Sequence, residues 1–195
     1  MHSADQVKAF FDARAPQWDA NCSHDPRKLE AVATLADVRP GCRVLDIACG
    51  TGVLEPVLLA RGAERVTAID LSEQMIARAR EKCGDPRVEF LAGDILEFAQ
   101  TGFDVAIIYS AYPHFADKEA LARQVWQALA PGGRFIVAHS ESRATINGRH
   151  HSPAVQAVST ELRPAMEELK AWQGRFTIDQ VGDSAHLYFF SGVKI

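Results

Sequence analysis

Val44-Leu45-Asp46-Ile47-Ala48-Cys49-Gly50-Thr51-Gly52-Val53-Leu54 passes from an apolar run through small residues into a second apolar run. The first run reads as a buried strand that ends in a carboxylate, and the second as the start of a helix. Glycines at such a junction let a ligand approach the backbone, and a helix start offers unpaired N–H groups. A dinucleotide fingerprint needs a third small residue three places after Gly52, where Glu55 stands, and the lysine of a phosphate-binding loop is absent. A carboxylate facing a pyrophosphate would repel it, so a ligand with positive or no charge near the turn is expected.

Working outward, short β-branched runs alternate with amphipathic stretches. Further strands are predicted at residues 65–69, 88–92, 105–109 and 134–139, with helices at 53–61, 72–82 and 118–128. Ser72 is the N-cap of the second helix, and Ala130-Pro131-Gly132-Gly133 stops the third and turns into the fifth strand. This rhythm implies an α/β parallel sheet with right-handed crossovers and helices on both faces. Helices are predicted before the sheet at 6–14 and 26–37, the latter with Asp25 as N-cap and Pro26 in its first position. After it come an irregular polar stretch at 140–162, a helix at 164–172, and strands at 175–181 and 186–193 joined by Gly182-Asp183-Ser184-Ala185. A single domain over residues 1–195 is expected, divided into an N-terminal segment 1–39, a core 40–139 and a substrate-side remainder 140–195.

Two further acids fall at strand ends. Asp70 closes the second strand 18 residues beyond Gly52, at a spacing suited to accepting ribose hydroxyls. Asp94 follows the third strand, where a carboxylate can receive the exocyclic amine of an adenine. Asp46, Asp70 and Asp94 thus share the carboxyl edge at which open α/β sheets bind ligands. Asp46 and Asp94 can instead cap loop N–H groups.

These residues resemble the class I S-adenosylmethionine-dependent methyltransferases. Val44–Gly52 is similar to the family's first motif, with Ala48 at the position of its first glycine. The likeness continues through Asp70-Leu71-Ser72-Glu73-Gln74-Met75, Gly93-Asp94-Ile95, Phe103-Asp104-Val105 and Leu129-Ala130-Pro131-Gly132-Gly133-Arg134. It implies a Rossmann-like three-layer sandwich with a mostly parallel seven-stranded sheet in the order 3-2-1-4-5-7-6, its last strand antiparallel. It also implies S-adenosylmethionine as cofactor and S-adenosylhomocysteine as product. By position, Ala48, Gly50 and Gly52 would contact the methionyl part, and Asp46 would help receive its ammonium. Asp70 would bind the ribose, Leu71 and Ile95 would sandwich the adenine with Asp94 at its amine, and Tyr109 or Ser110 would border the methyl group. The aromatic segment Phe10-Phe11-Asp12-Ala13-Arg14-Ala15-Pro16-Gln17-Trp18-Asp19 resembles the helical cap of small-molecule members, which folds over the substrate. Cys49 inside the turn reads as structural filler.

Methyl transfer is an in-line displacement on an activated carbon, so alignment and shielding dominate. A nucleophile that carries a proton is helped by a general base, usually histidine. His114, in Ser110-Ala111-Tyr112-Pro113-His114-Phe115 after the fourth strand, is the first candidate, and His150 is the reserve. Beyond the fifth strand, His139-Ser140-Glu141-Ser142-Arg143 leads to a loop whose Asn147, Arg149, His150 and His151 can recognise an anionic or metal-chelating substrate. A metal held by His114, His139 and His150 or His151 is conceivable, but a polar surface loop is the favoured reading, and no metal is assigned.

Composition bounds the partners. The 195 residues are 47% hydrophobic and 24% charged with a net charge of −4, the profile of an ordinary globular protein without a broad phosphate-binding surface. No apolar run approaches the ~20 residues of a membrane span, the N-terminus is unlike a signal peptide, and the four cysteines form no regular spacing. A cytoplasmic protein acting on a small-molecule methyl acceptor is expected, with no nucleic acid or membrane partner and the oligomeric state open. The rival readings are a non-catalytic S-adenosylmethionine-binding module, a nucleic-acid or protein methyltransferase, and an NAD-dependent oxidoreductase.

Overall fold

The computed structural model describes residues 2–149 and 152–195. Its sheet comprises β1 (Arg43–Ile47), β2 (Arg65–Asp70), β3 (Val88–Ala92), β4 (Phe103–Tyr109), β5 (Leu129–His139), β6 (Phe176–Asp183) and β7 (Tyr188–Lys194). The strand order is β3-β2-β1-β4-β5-β7-β6. Every pair from β3 to β5 is parallel, and β7 runs antiparallel to both β5 and β6. The expected order and the single reversed strand are both found.

The period-two pattern of the strands separates two apolar faces. Val44, Val66, Val105, Ile107 and Ile136 pack with α3 (Pro26–Leu35) and α4 (Glu55–Ala60). Ala68 and Phe90 continue that face beneath α5 (Glu73–Lys82). Leu45, Ile47, Ala106, Ile108, Phe135 and Val137 face the opposite way, onto α6 (Lys118–Ala128) and the segment that ends at Trp172. There Trp172 stacks on Phe135 at 4.0 Å and 10°, and its Nε1–H donates to the Tyr112 hydroxyl at 3.1 Å. Truncating so buried an indole typically costs about 3–5 kcal/mol.

The helix ends follow local chemistry. Asp25 caps α3 by accepting from Arg27 N–H, with Pro26 inside the first turn; Ser72 caps α5 and Asp117 caps α6. The N-terminal segment forms α1 (Ala4–Asp12) and the short α2 (Trp18–Asn21), linked by a 3-10 turn.

Three local expectations are corrected. Ala130-Pro131-Gly132-Gly133 is not a loop but the opening of β5, where the register against β4 shifts between Phe103 and Val105. Gly133 allows the crossing, because a Cβ there would lie 3.0 Å from the carbonyl oxygens of Ala130 and Phe103. The polar stretch after β5 is not irregular throughout. It holds α7 (Arg143–Arg149) and α8 (Pro153–Gln156), started by Ser142 and Ser152, whose hydroxyls accept from Thr145 and Val155 N–H. Finally, the helix expected at 164–172 is only the turn α9 (Ala165–Glu168) followed by a 3-10 turn. No helix among the described residues is long and apolar enough to cross a membrane.

Candidate active site

The turn after β1 is built from left-handed residues. Ala48, Gly50 and Gly52 have φ of 57°, 57° and 79°. A residue with a Cβ pays about 1–2 kcal/mol in that region, so alanine in place of the first glycine is a strained choice here. The turn is tied to its neighbours by Cys49 N–H donating to the Ile69 carbonyl at 3.2 Å and by Asp70. One Asp70 oxygen accepts from Gly50 N–H and the other from Ser72 N–H, each at 2.8 Å. Burial lifts the Asp70 carboxyl to about 6, although those two N–H donors pull it down.

Behind the turn lies a pair of acids. Asp46, at the end of β1, and Glu55, in the first turn of α4, are both fully buried. Asp46 Oδ2 and both Glu55 oxygens lack a well-formed hydrogen bond among the described residues. Burial and the neighbouring Glu55 carboxyl push Asp46 well above the usual carboxylate range, and burial lifts Glu55 to about 7. The expectation that Glu55 would confront a bound pyrophosphate is corrected. Its side chain is tucked under the turn, where a Cβ on Gly52 would come within 3.1 Å of Oε2. Cys49, buried beside these acids, has its thiol pushed well upward, first by burial and then by Asp46, Glu55 and Asp70. A protonated thiol is a poor nucleophile.

A cavity of about 350 Å³ opens at the carboxyl edge of the sheet above this turn. Its wall contains Asp46, Ala48, Gly50, Asp70 and Leu71 from the first two strand ends, with Asp94 and Ile95 from the third. Tyr109, Ser110 and His114 come from the end of β4 and beyond. Asp94 also caps the 3-10 turn that follows it, accepting from Leu96 N–H at 2.9 Å. Ser110 is held left-handed at φ 55°, the kind of backbone strain that clusters at functional sites. Gly52 is the exception. It stands outside the wall because its N–H turns back to the Cys49 carbonyl at 3.1 Å, closing the loop instead of facing the cavity.

The N-terminal helices close the cavity from above. Phe11 and Trp18 line it and pack edge-to-face at 5.6 Å. Phe10 packs edge-to-face on Phe11 at 5.1 Å but stands outside the wall, its ring lying under the Arg14 guanidinium at 3.4 Å. Two carboxylates fasten this cap. Asp12 accepts from Ser72 Oγ–H at 2.6 Å and Gln74 N–H at 3.3 Å, at the start of α5. Asp19 accepts from Thr51 Oγ1–H at 2.6 Å and from Lys82 Nζ at 3.0 Å. Burial alone would raise both carboxyls, but these donors, with Lys8 on Asp12, hold them below their ordinary value.

His114 sits where the first cavity meets a second one of about 570 Å³. Its ring packs edge-to-face on Phe11 at 4.9 Å, and Nδ1 lies 2.9 Å from the Val158 carbonyl. A carbonyl oxygen only accepts, so this contact places a proton on Nδ1. His150 and His151 lie outside the described residues. Among the described residues no group of three or more His, Cys, Asp or Glu is arranged to hold a metal ion.

His24 went unnoticed in the sequence. It borders both cavities, its Nδ1 lies 3.0 Å from the Tyr109 hydroxyl, and burial followed by the Lys82 charge lowers its pKa, favouring the neutral ring. Its only sequence signal is a place beside the Asp25 cap, which any surface turn could share. Thr51 was likewise passed over as a turn residue, although its hydroxyl anchors the cap.

Residues 44–133 match the family model for a methyltransferase domain. A demethylmenaquinone methyltransferase of Clavibacter sepedonicus is 35% identical over 140 residues, covering 68% of this chain and 57% of the relative. The chain thus spans little more than half the length of the curated relatives it matches first. The N-methyltransferase NodS of Bradyrhizobium japonicum, in complex with S-adenosylhomocysteine, superposes with a TM-score of 0.73 at 19% identity, covering 97% of this chain and 99% of that one. A chain of the Haloferax volcanii complex between the Trm112 methyltransferase activator and a methyltransferase superposes at 0.80 with 18% identity, covering 94% and 97%.

Proposed function

Because the chain belongs to the class I S-adenosylmethionine-dependent methyltransferases, we propose that it transfers the methyl group of S-adenosylmethionine to a small-molecule acceptor. The observation that carries this reading is the first cavity, whose wall draws a carboxylate from each of three consecutive strand ends beside a half-buried left-handed turn. The residues fit the cofactor. Asp46, buried with an orphaned oxygen at the cavity wall, is suited to an incoming ammonium. Asp70 keeps lone pairs beyond its two N–H bonds for ribose hydroxyls. Leu71 and Ile95 supply apolar contact for an adenine, and Asp94 an acceptor for its amine.

When bound, the cofactor supplies a sulfonium methyl carbon, and in-line attack by the acceptor returns the carbon–sulfur electron pair to sulfur. The chain's own task is alignment and exclusion of water. Phe11 and Trp18 cover the cavity, and Asp12 and Asp19 hold that cover on α5 and the turn. His114, at the junction of the two cavities, is placed to take the acceptor's proton, with neutral His24 as a second imidazole beside it. A small organic acceptor agrees with the curated relative's name, which specifies demethylmenaquinone.

The test is calorimetric titration with S-adenosylhomocysteine together with release of labelled methyl groups to a metabolite panel. Micromolar binding with acceptor-dependent transfer supports the reading. Binding with no transfer to any extract or panel compound would make the protein a cofactor-holding module, and no binding would remove the reading altogether.

A further inference from the structure

The two cavities are made of different materials. The first is chiefly apolar between its acids, whereas the second is walled largely by groups that hydrogen-bond. His139, Ser140 and Glu141, at and just beyond the end of β5, line it together with Lys28 from α3 and Arg149 from α7. Its charges are unequally matched. Asp25 is held bidentately by Arg27 at 2.9 and 3.2 Å, and Glu141 accepts from Arg149 at 2.6 Å. Asp25 lies close enough to feel the Lys28 charge, but among the described residues no carboxylate comes within ion-pair distance of Lys28. The Lys28 ammonium donates to the Ser140 carbonyl, which leaves two N–H donors and a full positive charge. A long apolar chain in this cavity would strip water from imidazoles, hydroxyls and an ammonium without replacing it. A compact anion would satisfy the ammonium directly.

We propose that the second cavity is the acceptor site, and that it takes a small polar acceptor bearing a carboxylate or comparable oxyanion, held on Lys28. The acceptor's nucleophile then lies at the junction bordered by Ser110, His24 and His114. This assignment rests on the methyl-transfer reading and narrows it to hydrophilic acceptors, away from isoprenoid ones.

Ligand-observed NMR titration of the protein saturated with S-adenosylhomocysteine tests it. The probes are benzoate, 4-hydroxybenzoate and 2-hydroxyhexanoate, each beside its primary amide, and a short-chain isoprenoid hydroquinone. At least one carboxylate should bind tenfold or more tightly than its amide. Lys28→Met should erase that preference and Lys28→Arg should keep it, with S-adenosylhomocysteine affinity unchanged in both variants. Equal binding of acid and amide, an undiminished preference in Lys28→Met, binding of the hydroquinone alone, or no carboxylate binding would each overturn the proposal. Should wild-type protein fail to bind S-adenosylhomocysteine, the methyl-transfer reading falls separately, and the acid–amide comparison still reads the cavity on the uncomplexed protein.

Discussion

Asp70→Ala strikes the point where the fold and the proposed cofactor site share one side chain. It removes the acceptor of two N–H groups, those of Gly50 and Ser72, in a place where the residue is only 9% exposed. Each stranded donor costs about 1–3 kcal/mol, so the gross loss is roughly 2–6 kcal/mol. Against this stands a relief. Burial lifts the Asp70 carboxyl from 3.8 to about 6, and holding it ionised at neutral pH costs about 3 kcal/mol, at ~1.36 kcal/mol per pH unit. The variant sheds that cost, so the net loss at pH 7 is about −1 to 3 kcal/mol and the protein should still fold. Affinity for S-adenosylhomocysteine should fall about 10- to 150-fold, the equivalent of losing a charged acceptor worth about 1.5–3 kcal/mol. The pH dependence has a definite sign. A carboxyl raised in the folded state contributes stability that is fully present below its unfolded value near 3.8 and is lost as pH rises through about 6. Alanine has no such titration, so wild type should gain on the variant as pH falls from 7 to 4.5. Urea unfolding at both pH values and calorimetry at pH 7 measure these quantities. Wild-type affinity in the folded variant would remove Asp70 from the ribose assignment, and a stability gap that does not change with pH would refute the burial reasoning.

The companion acid behaves in the same direction: burial lifts Glu55 from 4.5 to about 7, so its contribution to stability is lost as pH rises through about 7. Glu55→Gln should therefore flatten the decline in melting temperature between pH 5 and 8, and a profile parallel to wild type would contradict the assignment. Deleting residues 1–20 removes Phe11, Trp18 and both fastening carboxylates; methyl transfer should be abolished while cofactor binding survives in part, and unchanged turnover would reduce the segment to an appendage. His114→Ala should lower kcat about 10²- to 10⁴-fold with cofactor affinity nearly unchanged. If the rate persists, His24→Ala is the next comparison, and persistence in both variants would mean that the acceptor needs no protein base.

Much of this molecule was legible in its sequence because the deciding signals are local. A strand-to-turn junction with small residues, acids at successive strand ends, and caps such as Ser72 and Asp25 depend on neighbours a few positions away, and these appear where expected. Local patterns also misled where a distant strand intervened. Pro131-Gly132-Gly133 has the composition of a loop, yet pairing beside β4 draws it into β5. Tertiary structure decided which way Glu55 points, since spacing along the chain could not show that the space beneath Gly52 would be filled by its carboxyl. It likewise turned Gly52 and Phe10 away from the cavity. The second cavity was least legible of all. Its wall joins Trp18, His24 and Lys28 to Ser110, His114, His139 and Arg149, residues that sheet order and helix packing bring together from distant segments of the chain. A histidine or lysine in any of those segments is, taken alone, a polar surface residue. Only the closing of the N-terminal helices over the carboxyl edge of the sheet makes them one site.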